Sequence, residues 1–168
     1  MSIEGRAWAF PQDDINTDQI HLSIYSHLPI AEQARHCLET IDPTFARSVS
    51  PGDILVAGRN FGCGSARPAH LDLLELGIAA VVAESVDRKF FGNALSGGLP
   101  AISCPGVLGV INAGDRVRVD LDGSQIQELR EGRTVRCIAL PAFARSMLRL
   151  GGEKEYLRSV LASAPPGS

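Results

Sequence analysis

The stretch DILVAGRNFGCGSARPAHLDLLELGIAAVVAE, residues 53–84, decides the fold. A Pro-Gly-Asp turn leads into the apolar run Ile54–Ala57, and Gly58 ends it, the punctuation of a buried strand. Pro68 opens PAHLDLLEL as a helix, because the first helical N–H has no intrahelical partner to lose. Leu71 and Leu74, with Leu73 beside them, are expected to face inward. Gly77 closes the helix as a left-handed cap. IAAVVAE is then a continuous apolar run, the pattern of a strand covered on both faces.

Working outward, VDRKFFGNALSGG predicts a second helix and LPAISC a third buried strand. Strand, helix, strand, helix, strand over residues 53–104 predicts an α/β fold with a parallel sheet. Upstream, GRAWAF is a short first strand, PQDDINTDQIHLSIYSHLP a polar, turn-rich segment, and AEQARHCLET a short helix. Downstream, Val117, Val119 and Leu121 alternate before Asp122-Gly123, a hairpin signal. TVRCIAL follows as a strand, PAFARSMLRLGG as a helix bracketed by proline and glycine, and EKEYLRSVLA as a terminal helix. With no repeat and no linker, residues 1–163 form one domain and 164–168 a flexible tail.

Composition narrows the function classes. The chain has 168 residues, 45% of them hydrophobic, enough for a core without disulfides or metal. A net charge of −3 with dispersed basic residues argues against a nucleic-acid partner. No apolar run approaches the roughly 18 residues of a membrane span. The start MSIEGRAWAF lacks the basic and apolar regions of a signal peptide, so a cytoplasmic location is expected. The cysteines Cys37, Cys63, Cys104 and Cys137 contain no CxxC pair, so neither zinc nor an iron–sulfur cluster is expected on this chain alone. Three of the four are expected to be buried as small hydrophobes.

The turn NFGCGSARPAH, residues 60–70, carries the chemistry. It lies between a buried strand and a helix start, where open α/β sheets bind ligands. Gly62 and Gly64 can take positive φ and let an anion approach the backbone, and Arg67 adds a planar fork that matches a carboxylate or phosphate. The turn has neither a GxxxxGK loop nor a third glycine for a dinucleotide fingerprint, so a small carboxylate fits better than phosphate. Ser65 is either a hydrogen-bond donor or an activated oxygen. The residues alone leave the reaction open.

VAGRNFGCGSARPAH, with INTDQI upstream and GIAAVVAESVDRKFFGNALSGGLP downstream, resembles the small subunits of 3-isopropylmalate dehydratases, the swivel domain of the aconitase superfamily. The resemblance covers residues 1–157. It implies a three-layer swivel domain with a partly parallel central sheet, followed by a β-hairpin region and helices. It implies a hydro-lyase of leucine biosynthesis, active only with a large subunit that carries a 4Fe–4S cluster, and a small dicarboxylate hydroxy acid as substrate. Ser65 then matches the catalytic base, Arg67 the carboxylate-binding arginine and Asp18 an active-site aspartate. Gly64 and Ala66 fall in the substrate-binding turn.

Two departures bear on specificity. Ala66 and Pro68 stand where the family pattern has a second serine and a backbone donor, and IHLSIYSHL replaces the usual loop that helps choose the substrate side chain. A dehydratase for dimethylmalate, citramalate or homoaconitate, or a non-catalytic carboxylate-binding module, are the alternatives. His21 and His27 in that loop are read as substrate contacts or as surface residues, His70 as structural, and Cys63 as a small side chain inside a tight turn.

Overall fold

The computed structural model describes residues 1–163; the expected tail 164–168 lies outside them. Seven strands form one sheet: β1 (Ser2–Phe10), β2 (Ile54–Ala57), β3 (Ala80–Ala83), β4 (Ala101–Ser103), β5 (Arg116–Asp120), β6 (Gln125–Glu128) and β7 (Thr134–Arg136). Their order is β4-β3-β2-β1-β5-β6-β7. β1 to β4 pair in parallel, and β1 is also antiparallel to β5, so the first strand is the seam between a parallel and an antiparallel half. The hairpin expected at Asp122-Gly123 is present as β5 and β6.

The all-apolar strands have a simple reason. In β2, Ile54 and Val56 face one hydrophobic core while Leu55 and Ala57 face another. In β3, Ala80 and Val82 join the first core, and Val81 and Ala83 the second. A strand covered on both sides has no polar face to alternate with. The α-helices of the described residues are α1 (Thr17–Ile20), α2 (Ile30–Gln33), α3 (Phe45–Ser48), α4 (Ala69–Glu75), α5 (Arg88–Ser96), α6 (Ala142–Leu150) and α7 (Glu153–Ser163). The second core also takes Leu73 from α4 and Phe90 and Ala94 from α5. The first is closed by the curled antiparallel half and by Ala144 and Leu148 of the Ala142–Leu150 helix. The terminal helix spans Glu153–Ser163. No helix of the described residues is long and apolar enough to cross a membrane.

Three local expectations are corrected. Leu71 is 40% exposed; the buried face of α4 is Ala69, Asp72 and Leu73. Helical periodicity selects residues 69, 72 and 73, and the charge on Asp72 hid that face from a reading by hydropathy. Pro68 precedes the helix as its cap instead of starting it. AEQARHCLET is not one helix: a single α turn, Ile30–Gln33, passes into a 3₁₀ turn, Ala34–His36. Leu38 then takes positive φ, and both Cys37 and Leu38 reach the core. Cys37, Cys104 and Cys137 are buried, as expected, and Cys63 is half-buried.

Candidate functional site

The turn after β2 is held by three neighbours. Gly62 N–H donates to Ile15 O at 2.7 Å, and Thr17 N–H donates to Cys63 O at 2.9 Å, so segment 15–17 pairs with the turn. Phe61 N–H donates to Ser85 O at 3.0 Å, and its ring meets Phe90 edge-on, 5.2 Å between centroids. Gly62 is fixed by space as well as conformation: at φ +81° a Cβ would lie 2.3 Å from Phe90 Cγ. The turn is therefore clamped onto the start of α5 before it presents any side chain.

INTDQI forms a one-turn helix, α1 (Thr17–Ile20), with a capping box. Asn16 Oδ1 accepts from Gln19 N–H at 2.9 Å, and Gln19 Oε1 accepts from Asn16 N–H at 3.0 Å. This reciprocal pair holds a helix too short to persist alone. It aims Asp18 at the turn, where the Asp18 carboxylate forms an ion pair with Arg67 Nε. Arg67 Nε also donates to Ser65 Oγ at 3.2 Å. Ser65, Arg67 and Asp18, the site residues that the resemblance implies, thus lie in one cluster. Both side-chain contacts use Nε, and among the described residues Nη1 and Nη2 carry no hydrogen bond.

Thr17 was missed by the sequence reading. It is 3% exposed, and its Oγ1 donates to Ser65 O at 2.9 Å, with Ser65 Oγ 3.5 Å away. The Asn-x-x-Gln spacing of the capping box was the available signal, since it places Thr17 in the first turn beside the cap. Arg67 N–H donates to the same Ser65 carbonyl at 2.8 Å. The Ser65 backbone is therefore fixed from two sides, while Gly64, Ser65 and Ala66 remain exposed.

His21 is the main correction at the site. Expected as a substrate contact or a surface residue, it is 3% exposed and engaged at both ring nitrogens. Nδ1 lies 2.9 Å from Asp72 Oδ2, and Nε2 lies 3.1 Å from Ser26 Oγ. The physical reason is the buried Asp72 carboxylate, which needs a partner that no apolar neighbour can supply. His21 thus ties the 21–28 loop to α4 from inside. His27 is exposed. His70 packs against Gly97 at the end of α5, in line with a structural role, and burial pushes its imidazole pKa down. Burial, then the charges of Asp14 and Asp87, push the Cys63 thiol up, which keeps it protonated and disfavours a nucleophilic role.

The chain is similar to known proteins along almost all of its length. Residues 12–105 match the aconitase C-terminal domain. The chain is 40% identical over 164 residues to the 3-isopropylmalate dehydratase small subunit of Heliobacterium modesticaldum, covering 96% of this chain and 98% of that protein. It is 39% identical over 164 residues to the isopropylmalate/citramalate isomerase small subunit of Methanocaldococcus jannaschii, covering 96% and 97%. The crystal structure of 3-isopropylmalate dehydratase from the same organism superposes with a TM-score of 0.88 at 38% identity, over 97% of this chain and 98% of that one. The chain belongs to the family of 3-isopropylmalate dehydratase small subunits, hydro-lyase components of the aconitase superfamily.

Proposed function

We propose that this chain is the base-bearing subunit of a two-subunit hydro-lyase that acts on a branched malate-type hydroxy acid, with 3-isopropylmalate the first candidate. One observation carries the reading: Ser65 Oγ, Arg67 Nε and the Asp18 carboxylate converge on an exposed turn whose backbone is otherwise fixed. A serine oxygen becomes a base only if its anion is stabilised. The Arg67 N–H at 3.2 Å supplies a cationic donor to that oxygen. Ser65 then removes the proton next to a substrate carboxylate. Arg67 Nη1 and Nη2 grip the carboxylate as a fork, and Asp18 orients the guanidinium.

The family's 4Fe–4S cluster does not fit this chain. Among the described residues no three His, Cys, Asp or Glu side chains group as metal ligands, and Cys37, Cys63 and the 104/137 pair lie apart. We assign the cluster, with its Lewis-acid chemistry, to a large subunit whose face covers the exposed turn. A second reading, preference for citramalate or a related acid, is favoured by Ala66, which offers no hydroxyl beside Arg67. The M. jannaschii relative bears a name that covers both substrates.

The test is reconstitution. The purified chain alone is expected to turn over no hydroxy acid, and dehydration is expected to appear when a large subunit of this family is added. Turnover by the chain alone would overturn the two-subunit reading. A reconstituted complex that binds 3-isopropylmalate and citramalate without converting either would favour a carboxylate-binding module instead.

Arg67 gives a sharper test. Lysine keeps the charge but loses the fork and the Nε donor to Ser65. Arg67→Lys is expected to lose about 1.5–3 kcal/mol, the worth of a charged hydrogen bond. That is roughly 10- to 150-fold in kcat/KM. Steady-state kinetics of the complex with a dicarboxylate substrate, beside a thermal melt, decides it. A silent Arg67→Lys with a damaged Arg67→Ala would make Arg67 a point charge.

A further inference from the structure

Cys104 and Cys137 come from opposite edges of the seven-stranded sheet, just after β4 and just after β7. They are 33 residues apart in sequence, and no spacing rule pairs them. The curl of the sheet brings those edges together: Ile138 N–H donates to Ser103 O at 2.8 Å, and Cys104 Sγ lies 3.7 Å from Arg136 O. Cys137 Sγ then lies 2.8 Å from Cys104 Sγ. Both thiols are free, with Cys104 fully buried and Cys137 7% exposed beside the exposed Ile138. Cys37 lies in the other core and Cys63 in the site turn.

We propose that Cys104 and Cys137 are an oxidation site, a dithiol that a hydroperoxide converts to a disulfide joining the two free edges of the sheet. The pair is too close to bracket a metal ion, since zinc–thiolate bonds of about 2.3 Å hold their sulfurs farther apart. Cys137 is 7% exposed and Cys104 fully buried, so Cys137 is the sulfur that meets the peroxide first. Its sulfur attacks one peroxide oxygen, the O–O bond breaks, and the released hydroxide takes a proton to become water. The resulting sulfenic acid is attacked by Cys104 sulfur. The S–O bond breaks, the S–S bond forms, and the second oxygen leaves as water with the Cys104 proton. Two thiols lose two electrons and the peroxide gains them. This inference is independent of the roles given to Ser65 and Arg67.

The full chain is treated with hydrogen peroxide, unfolded, alkylated and mass-mapped. Before alkylation the expected product is lighter than the reduced chain by about 2 Da, and after alkylation two of its four cysteines carry no alkyl group. A reducible link should join the peptides bearing Cys104 and Cys137, with Tm higher than the reduced chain by about 4–16 °C. Cys104→Ser and Cys137→Ser should each abolish the link, and the wild-type map decides the matter even if those variants fold poorly. Four alkylatable thiols after treatment, a link to Cys37 or Cys63, or separate sulfinic acids at 104 and 137 would overturn the proposal.

Discussion

Ser65→Ala is expected to lower kcat of the reconstituted complex by about 10²–10⁴-fold, the usual contribution of a general base. Assembly and KM should hold, because the substitution deletes only an exposed hydroxyl. The groups that shape the turn are backbone: Ser65 O keeps its bonds from Thr17 Oγ1 at 2.9 Å and Arg67 N–H at 2.8 Å. Alanine loses neither, and Gly62 stays locked against Phe90. Arg67 loses its contact to Oγ but retains Asp18. A kcat within a few-fold of wild type would reduce Ser65 to a hydrogen-bonding group. Cys63→Ser is the control. Its thiol is pushed up and protonated, so the variant should keep most activity if the turn tolerates it.

The parallel half was legible because its signals are local. Ile54–Ala57 and Ala80–Ala83 are buried at every position, and the Gly77 left-handed cap ends α4 where the sequence placed it. The placement of β1 was not legible. GRAWAF alternates weakly, and its position at the seam depends on pairing with β2 on one side and β5 on the other, both distant in sequence. The site divides the same way. The Gly-rich turn announces itself, since it combines positive φ, a serine and an arginine within a few residues. Its supports do not: Thr17 and Phe90 act on it from 48 and 28 positions away, and although the capping box places Thr17 in a first turn, neither neighbourhood shows that the Gly-rich turn is what it holds. Burial of His21 and Asp72 was the hardest feature to foresee. Each is polar and reads as surface alone, and only their meeting across 51 residues makes burial tolerable.

That meeting yields the second large effect. His21→Leu should destabilise the chain by about 3–5 kcal/mol, the cost of leaving the buried Asp72 carboxylate without its partner. For a domain of this length that is a Tm lower by roughly 6–20 °C. Among the described residues Asp72 Oδ1 already has no hydrogen-bond partner, so losing His21 would leave the whole carboxylate unpaired. Burial holds the Asp72 carboxyl above its usual value and His21 pulls it back. Cys37 is the neighbour that feels the charge: burial first, then Asp72, pushes its thiol up. Without His21 the folded carboxyl rises further. An acid whose folded pKa exceeds its unfolded value, about 3.9 for aspartate, costs stability as pH rises through that interval. The deficit of His21→Leu relative to wild type should therefore grow from acidic to neutral pH and shrink again on acidification. His21→Leu/Asp72→Leu removes both buried polar groups and should recover much of the loss, since a well-packed apolar pair can replace such a buried pair at little cost. Urea titrations of the four chains of this cycle at several pH values measure it. A deficit that is flat with pH, or a double variant no more stable than His21→Leu, would show that His21 acts by packing volume and not by partnering Asp72.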